Sequence, residues 1–243
     1  MSPVPQLLVS VRNADEAMAA ASAGADIVDV KEPANGSLGR ATNDAIASIA
    51  HGLQSMASPP PFSIALGELA EWRDVGMENE SIRATLKAAR PTYLKMGLAG
   101  TSTSRKNWRV KLDAIRQRFV GQHKWVAVAY ADFERAVSPS PLDVCRHAID
   151  TNAAVLLIDT FRKDGTNLRS WLSHEQLIQL RTHTATHGIQ LALAGKVTEQ
   201  DLPVLRVIGP EIIAVRGAVC DHGDRIAAIS EARVREFKTA LRQ

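Results

Sequence analysis

The sequence predicts an α/β fold, closed as a single (βα)8 TIM barrel over residues 1–243, on three observations. Its 243 residues are close to the roughly 250 that eight βα units need. Short apolar runs alternate with amphipathic stretches from end to end, a pattern that calls for parallel strands joined by crossover helices. The runs number eight and no Gly-x-Gly-x-x-Gly follows the first, so a closed barrel fits better than a doubly wound sheet.

The elements follow in order. Apolar runs place strands at 7–11, 27–31, 62–66, 93–97, 125–130, 154–159, 190–194 and 212–216. After the first strand, Ala14, Ala17, Met18 and Ala21 form one helical face, and Asn13 with Glu16 has the spacing of a capping box. Ile46, Ile49, Ala50 and Leu53 make the next face, Leu142, Cys145, Ala148 and Ile149 another, and Val234, Phe237 and Leu241 close the series. Ser58-Pro59-Pro60-Pro61 is too short for an interdomain linker and reads as a rigid helix-to-strand connection.

Composition narrows the class. Hydrophobic residues are 45% and charged residues 23%, a globular balance. Net charge is +3 with aromatics at only 5%, and the basic residues are scattered among acids, which argues against nucleic acid and for a small anionic ligand. Two cysteines, Cys145 and Cys220, build no disulfide framework and fit a reducing cytoplasm. No apolar run approaches the roughly 18 residues of a membrane span, and the N-terminus does not read as a signal peptide. Self-association is left open.

In a barrel of this kind, chemistry sits where strands end. Those positions hold Asp29, Lys31, Glu68, Lys95, Asp132, Asp159, Lys196 and Arg216, with Lys163 in the loop after the sixth strand. Alternation along a strand puts Asp29 and Lys31 on the face of Ile27, Lys95 on that of Tyr93, and Asp159 on that of Val155 and Leu157. One lysine at a strand end is ordinarily a solvated charge. Several together in a partly dry site depress one another's pKa and yield a neutral amine able to attack a carbonyl, while the acids serve either as proton carriers or only as partners for the lysines.

Two segments suggest phosphate binding. Ser37 and Gly39, in Gly36-Ser37-Leu38-Gly39, offer backbone N–H groups and a hydroxyl, although Asn35-Gly36 is also a common turn. Gly195-Lys196 and Arg216-Gly217-Ala218 end the seventh and eighth strands, where barrels commonly hold phosphate. His183 and His187, four apart on an outer helix, read as a solvated pair and not a metal site, His222 as part of a polar turn, and Cys220 as inert packing.

Six segments carry a resemblance: LLVSVRN at 7–13, GADIVDVKEPANGSLG at 24–39, YLKMGL at 93–98, LIDTFRKDG at 157–165, LALAGK at 191–196 and VRGAVCDHGDR at 215–225. Together, in order across nearly the whole chain, they resemble the (5-formylfuran-3-yl)methyl phosphate synthase family, also called 4-(hydroxymethyl)-2-furancarboxaldehyde-phosphate synthase. The resemblance implies a barrel like those of aldolases. It implies condensation of two glyceraldehyde 3-phosphate molecules into a furan aldehyde phosphate for methanofuran-type cofactors, with one phosphate and water released. It puts the Schiff-base lysine at Lys31 and the proton acceptor, kept neutral by neighbouring cations, at Lys95. It adds Asp29, Asp159 and Lys163 to the site, and it implies neither metal nor cofactor. A class I aldolase-like triose-phosphate lyase and a non-catalytic phosphosugar-binding barrel are the rival readings.

Overall fold

A computed structural model describes residues 4–72, 77–102, 107–119, 121 and 123–243. Eight parallel strands close into a barrel in sequence order. They are β1 (Gln6–Val11), β2 (Ile27–Val30), β3 (Phe62–Glu68), β4 (Tyr93–Gly97), β5 (Lys124–Tyr130), β6 (Val155–Asp159), β7 (Gln190–Leu193) and β8 (Ile212–Val215). Closure is by β8 against β1, from Gln6 opposite Ile212 to Val9 opposite Val215. The fold therefore agrees with the barrel predicted from the strand count, and strand ends shift by only one or two residues. β2 stops at Val30 and β8 at Val215, so Lys31 and Arg216 stand just beyond their strands.

Helices wrap the outside: α1 (Ala14–Ser22), α2 (Asn43–Gln54), α3 (Met77–Ala89), α4 (Asn107–Arg118), the one-turn α5 (Phe133–Ala136), α6 (Pro141–Asp150), α7 (His174–Thr186), α8 (Leu202–Ile208) and α9 (Glu231–Arg242). The expected faces of α2 (Ile46, Ile49, Ala50, Leu53) and α9 (Val234, Phe237, Leu241) are buried against the sheet. Each of these side chains larger than Ala50 contributes about 1.5–3 kcal/mol by leaving water.

α1 departs from its predicted face. Its buried residues are Glu16, Ala17 and Ala20, so of the expected Ala14, Ala17, Met18 and Ala21 only Ala17 is buried, and a carboxylate goes inward. Asn13 caps the helix by accepting the Glu16 N–H at 2.9 Å. The reciprocal half of the capping box is missing, because the Glu16 carboxylate takes the Arg12 N–H at 2.8 Å and binds Arg216. An arginine 200 residues away thus overrides the local capping pattern.

Strand alternation sorts the core into two layers. Val9, Val28, Val30 and Ile213 face the helices, while Leu8, Ile27, Val126, Val155, Leu157 and Ile212 fill the barrel interior. Above this apolar plug, at the C-terminal ends of the strands, the inward positions turn polar.

Candidate active site

The floor of the site is one carboxylate. Asp29 points into the barrel from β2, with no exposure to solvent. It accepts a hydrogen bond from Ser10 Oγ on β1 at 2.8 Å, another from Ser63 Oγ on β3, and an ion pair from Lys95 Nζ on β4 at 2.7 Å. Side chains from four successive strands therefore meet at this one group. Burial pushes the Asp29 carboxyl up, but Lys95 and Lys31, with the hydrogen bonds of Lys95 and Ser63, hold it below the usual carboxylate range. Sequence reasoning expected cations to surround Lys95; its nearest charged group is instead the Asp29 carboxylate.

Lys31 stands above this pair. Its residue is 8% exposed and it lines a cavity of about 400 Å³ at the barrel mouth. Among the described residues, no group lies within hydrogen-bonding or ion-pairing distance of its Nζ. Burial lowers its pKa to about 8, against the opposing pull of Asp159 and, less strongly, Asp29, with Lys95 and Lys163 adding to the depression. The sequence left open whether desolvation or Asp29 prevails; desolvation does, and Asp159 is the stronger opponent. At pH 7 roughly one amine in ten is then neutral. Lys31 is thus a buried amine with a depressed pKa that borders the cavity.

Asp159 ends β6 on the far wall. It accepts from Lys163 Nζ at 2.8 Å, Ser37 Oγ at 2.9 Å and the Thr160 N–H at 2.8 Å. Burial raises this carboxyl, but Lys163 and Lys31 outweigh it and hold the group far below its ordinary value. Lys163 also donates to the Thr160 carbonyl at 2.6 Å and the Thr160 hydroxyl at 3.1 Å, so its ammonium is saturated where that of Lys31 is free.

The predicted phosphate contacts divide. Gly195, Lys196 and Gly217 line the cavity beside the lysines. Gly195 has φ of +96°, and an added Cβ would lie 2.9 Å from Thr160 Cγ2, so a bare backbone is required there. Lys196 Nζ reaches the Gly165 carbonyl at 2.8 Å from an exposed position.

Arg216 is a correction. Its guanidinium gives all five N–H donors to the protein: Nε to the Arg225 carbonyl, Nη1 to the Ser10 carbonyl and Glu16, Nη2 to Glu16 and the Ala227 carbonyl. None remains for a phosphate, although Arg216 borders the cavity. Ser37 and Gly39 are corrected on a different ground, since neither lines the cavity. The Ser37 hydroxyl is buried against Asp159 and the Thr160 carbonyl, and Gly39 is a close-packing point whose Cβ would fall 2.2 Å from the Glu32 carbonyl oxygen.

Three groups escaped the sequence reading: Ser10, Ser63 and Arg225. Ser10 and Ser63 both donate to Asp29 and fix its carboxylate. Arg225, from the loop after β8, reaches the cavity. Glu68 pairs with the buried Tyr130 hydroxyl and accepts the Ala99 N–H at 2.8 Å, and burial raises its carboxyl pKa. It lies against Gly97, where a Cβ would come within 2.2 Å of its Oε2. Asp132 accepts the Phe161 and Arg162 N–H groups at 2.6 and 3.0 Å, which shapes the loop after β6. Cys220 is fully buried with its thiol pKa raised chiefly by that burial, as suits an inert packing group.

Comparison with known proteins adds a family. The sequence profile described as 4-HFC-P synthase matches residues 7–238. The chain is 34% identical over 240 residues to (5-formylfuran-3-yl)methyl phosphate synthase of Methanopyrus kandleri, covering 98% of this chain and 99% of that one. Identity to the protein of the same name from Methanococcus maripaludis is 35% over 223 residues, covering 90% and 91% of the two chains. Among solved structures, 3-hexulose-6-phosphate synthase from Salmonella typhimurium superposes with a TM-score of 0.63 at 15% identity, covering 98% of this chain and 99% of that one. Phosphoribosylanthranilate isomerase from Thermotoga maritima gives 0.62 at 12% identity, with 98% of each chain covered. These two likenesses are of fold.

Proposed function

The chain belongs to the 4-HFC-P synthase family, and from that premise we propose that it condenses two molecules of glyceraldehyde 3-phosphate into 4-(hydroxymethyl)-2-furancarboxaldehyde phosphate, for methanofuran-type cofactors, through a Schiff base on Lys31. The observation that carries this reading is the Lys31 amine: buried, depressed to about 8, unpartnered among the described residues and open to the cavity.

The neutral amine adds to the aldehyde carbon of the first triose, and water leaves to give an iminium. The iminium draws electrons from the adjacent carbon, so a proton there can be removed and the resulting enamine can attack the aldehyde of the second triose. Lys95, on the cavity wall beneath Lys31, carries protons to and from the reacting atoms, with Asp29 behind it as the charge that positions it. Asp159 and Lys163 do the same on the opposite wall during loss of phosphate and water. Gly195, Lys196 and Gly217 hold one phosphate at the rim.

The test is a product assay with glyceraldehyde 3-phosphate, read by furan absorbance, combined with borohydride trapping. Lys31 should carry the reduced adduct on peptide mass mapping, and Lys31→Arg should abolish both adduct and product, because a guanidinium forms no imine. Full turnover under trapping conditions with Lys31 unmodified would refute the Schiff base.

A further inference from the structure

If two triose phosphates are condensed, as proposed above, two phosphate dianions must occupy one cavity at the same time. The station at Gly195, Lys196 and Gly217 accounts for one. Most other cations of the wall are engaged: Lys95 with Asp29 at 2.7 Å, Lys163 with Asp159 at 2.8 Å, and Arg216 through every donor it has.

Arg225 is different. It lines the cavity half-buried, and among the described residues its guanidinium makes one hydrogen bond, from Nη2 to the Gly36 carbonyl at 3.3 Å. The backbone around it is held firmly. Arg216 donates to the Arg225 and Ala227 carbonyls, Arg12 Nη1 donates to the Ile226 carbonyl at 2.9 Å, and Asp224 accepts the Ile226 N–H at 2.9 Å. The loop is thus clamped at three consecutive carbonyls while the side chain keeps four of its five N–H donors free for a ligand. Its one tie is to the Gly36 carbonyl in the loop that leaves Lys31, so the side chain reaches from the loop after β8 toward the loop after β2. Asp159 is the strongest opposing charge that the guanidinium feels, which puts it near the wall where elimination is assigned. A planar guanidinium matches a phosphate through paired hydrogen bonds.

We infer that Arg225 holds the phosphate of the second triose, the one that meets the enamine on Lys31. The inference is tested with Arg225→Ala and Arg225→Lys in two assays on the full chain: borohydride trapping on Lys31 and furan formation, both with glyceraldehyde 3-phosphate. Arg225→Ala should trap the first triose at the substrate concentration the parent enzyme needs. Its furan formation below saturation should fall roughly 10–100-fold, the effect of losing a charged hydrogen-bond pair. Excess substrate or added guanidinium should restore part of the rate, and Arg225→Lys should fall between. If trapping and furan formation decline together, and neither addition restores them, Arg225 only ties down the Gly36 loop and the inference is overturned. Failure of the parent enzyme to trap any triose would remove the Schiff-base reading first, and this inference with it.

Discussion

The Lys95 ammonium lies 2.7 Å from the Asp29 carboxylate, a pair that reaches across β3 to join β2 and β4, which are not neighbours in the barrel. Both side chains are almost wholly buried, and Ser10 and Ser63 supply the remaining hydrogen bonds to the carboxylate. Such a pair is costly to desolvate and costlier to halve. Asp29→Ala should therefore destabilise the fold by about 3–5 kcal/mol, because it strands a buried ammonium. The double variant Asp29→Ala with Lys95→Met should recover part of that loss. Urea unfolding of the single and double variants measures the coupling; strict additivity would mean that the two groups do not depend on each other.

Lys31 gives a prediction for the pH profile. With its pKa lowered to about 8, the neutral fraction rises about tenfold per pH unit up to that point and then levels. kcat/KM should follow this rise with a slope near one between pH 6 and 7.5. A profile flat through that range would show that some other group limits attack.

The same shift predicts a stability gain on removing the amine. The folded pKa lies below the unfolded value of 10.5, so the unfolded chain binds the proton more tightly. The penalty is fully present below about pH 8 and is relieved as pH rises from there to 10.5. Lys31→Met should then be inactive yet more stable at pH 7 by roughly 1–3 kcal/mol, with the advantage fading above pH 10. A Tm below that of the parent at pH 7 would contradict this.

The two buried aspartates act in the opposite direction. Asp29 and Asp159 are both held below the ordinary aspartate value of 3.8, so their contribution is complete above that pH and is lost as pH falls from there through their folded values. Asp159→Asn should therefore cost stability at pH 7 and progressively less below pH 4, measured as the difference in unfolding free energy from the parent. A constant difference across that range would place the cost in packing and not in charge.

How far the sequence carries can be judged from particular residues. The eight strands were legible because each is a short apolar run, and the inward set Asp29, Lys31, Lys95 and Asp159 followed from period-two alternation. What the sequence could not supply is the direction of a long side chain just beyond a strand. Arg216 is the first residue after β8. From that position it can turn to a ligand or to the Ser10 carbonyl and Glu16, and the choice depends on Glu16, which local sequence had assigned to a capping box. Ser10 and Ser63 were invisible for a related reason: a serine in a strand means nothing until the register sets it beside Asp29. Ser37 and Gly39 had the composition of a phosphate loop, but Gly39 packs on the Glu32 carbonyl and the loop closes on itself.

Gly39 provides a direct check on that last point. A Cβ there would meet the Glu32 carbonyl oxygen at 2.2 Å and Asn35 Cβ at 2.6 Å, and a backbone oxygen cannot swing aside. Gly39→Ala should lower stability by about 1–3 kcal/mol through forced backbone movement. Its effect on substrate affinity should follow only from that movement. Gly36→Ala, where nothing lies within 4 Å but φ is +108°, should cost a smaller amount through strain alone. Equal Tm values for Gly39→Ala and the parent would mean that the loop is looser than this packing implies.

Arg216 carries the most consequential revision. Its guanidinium and the Glu16 carboxylate form a bidentate pair at 2.8 and 3.2 Å, with exposures of 4% and 9%, and the remaining donors hold carbonyls of β1 and of the loop after β8. Removing the arginine strands Glu16 and releases the backbone that positions Arg225. Arg216→Ala should thus destabilise the protein by about 3–5 kcal/mol, the cost of breaking one partner out of a buried pair. Arg216→Lys should rescue little, since an ammonium cannot reproduce five donors in a planar fork. The double variant Glu16→Ala with Arg216→Ala should lose less than the sum of the singles, because no charge is left without a partner. Substrate affinity should weaken as well, but as a consequence of the loosened loop, so Glu16→Ala should weaken it comparably. If Arg216→Ala unfolds at the same urea concentration as the parent and only KM rises, the guanidinium turns toward substrate in solution, and the phosphate-binding role expected from its position after β8 stands.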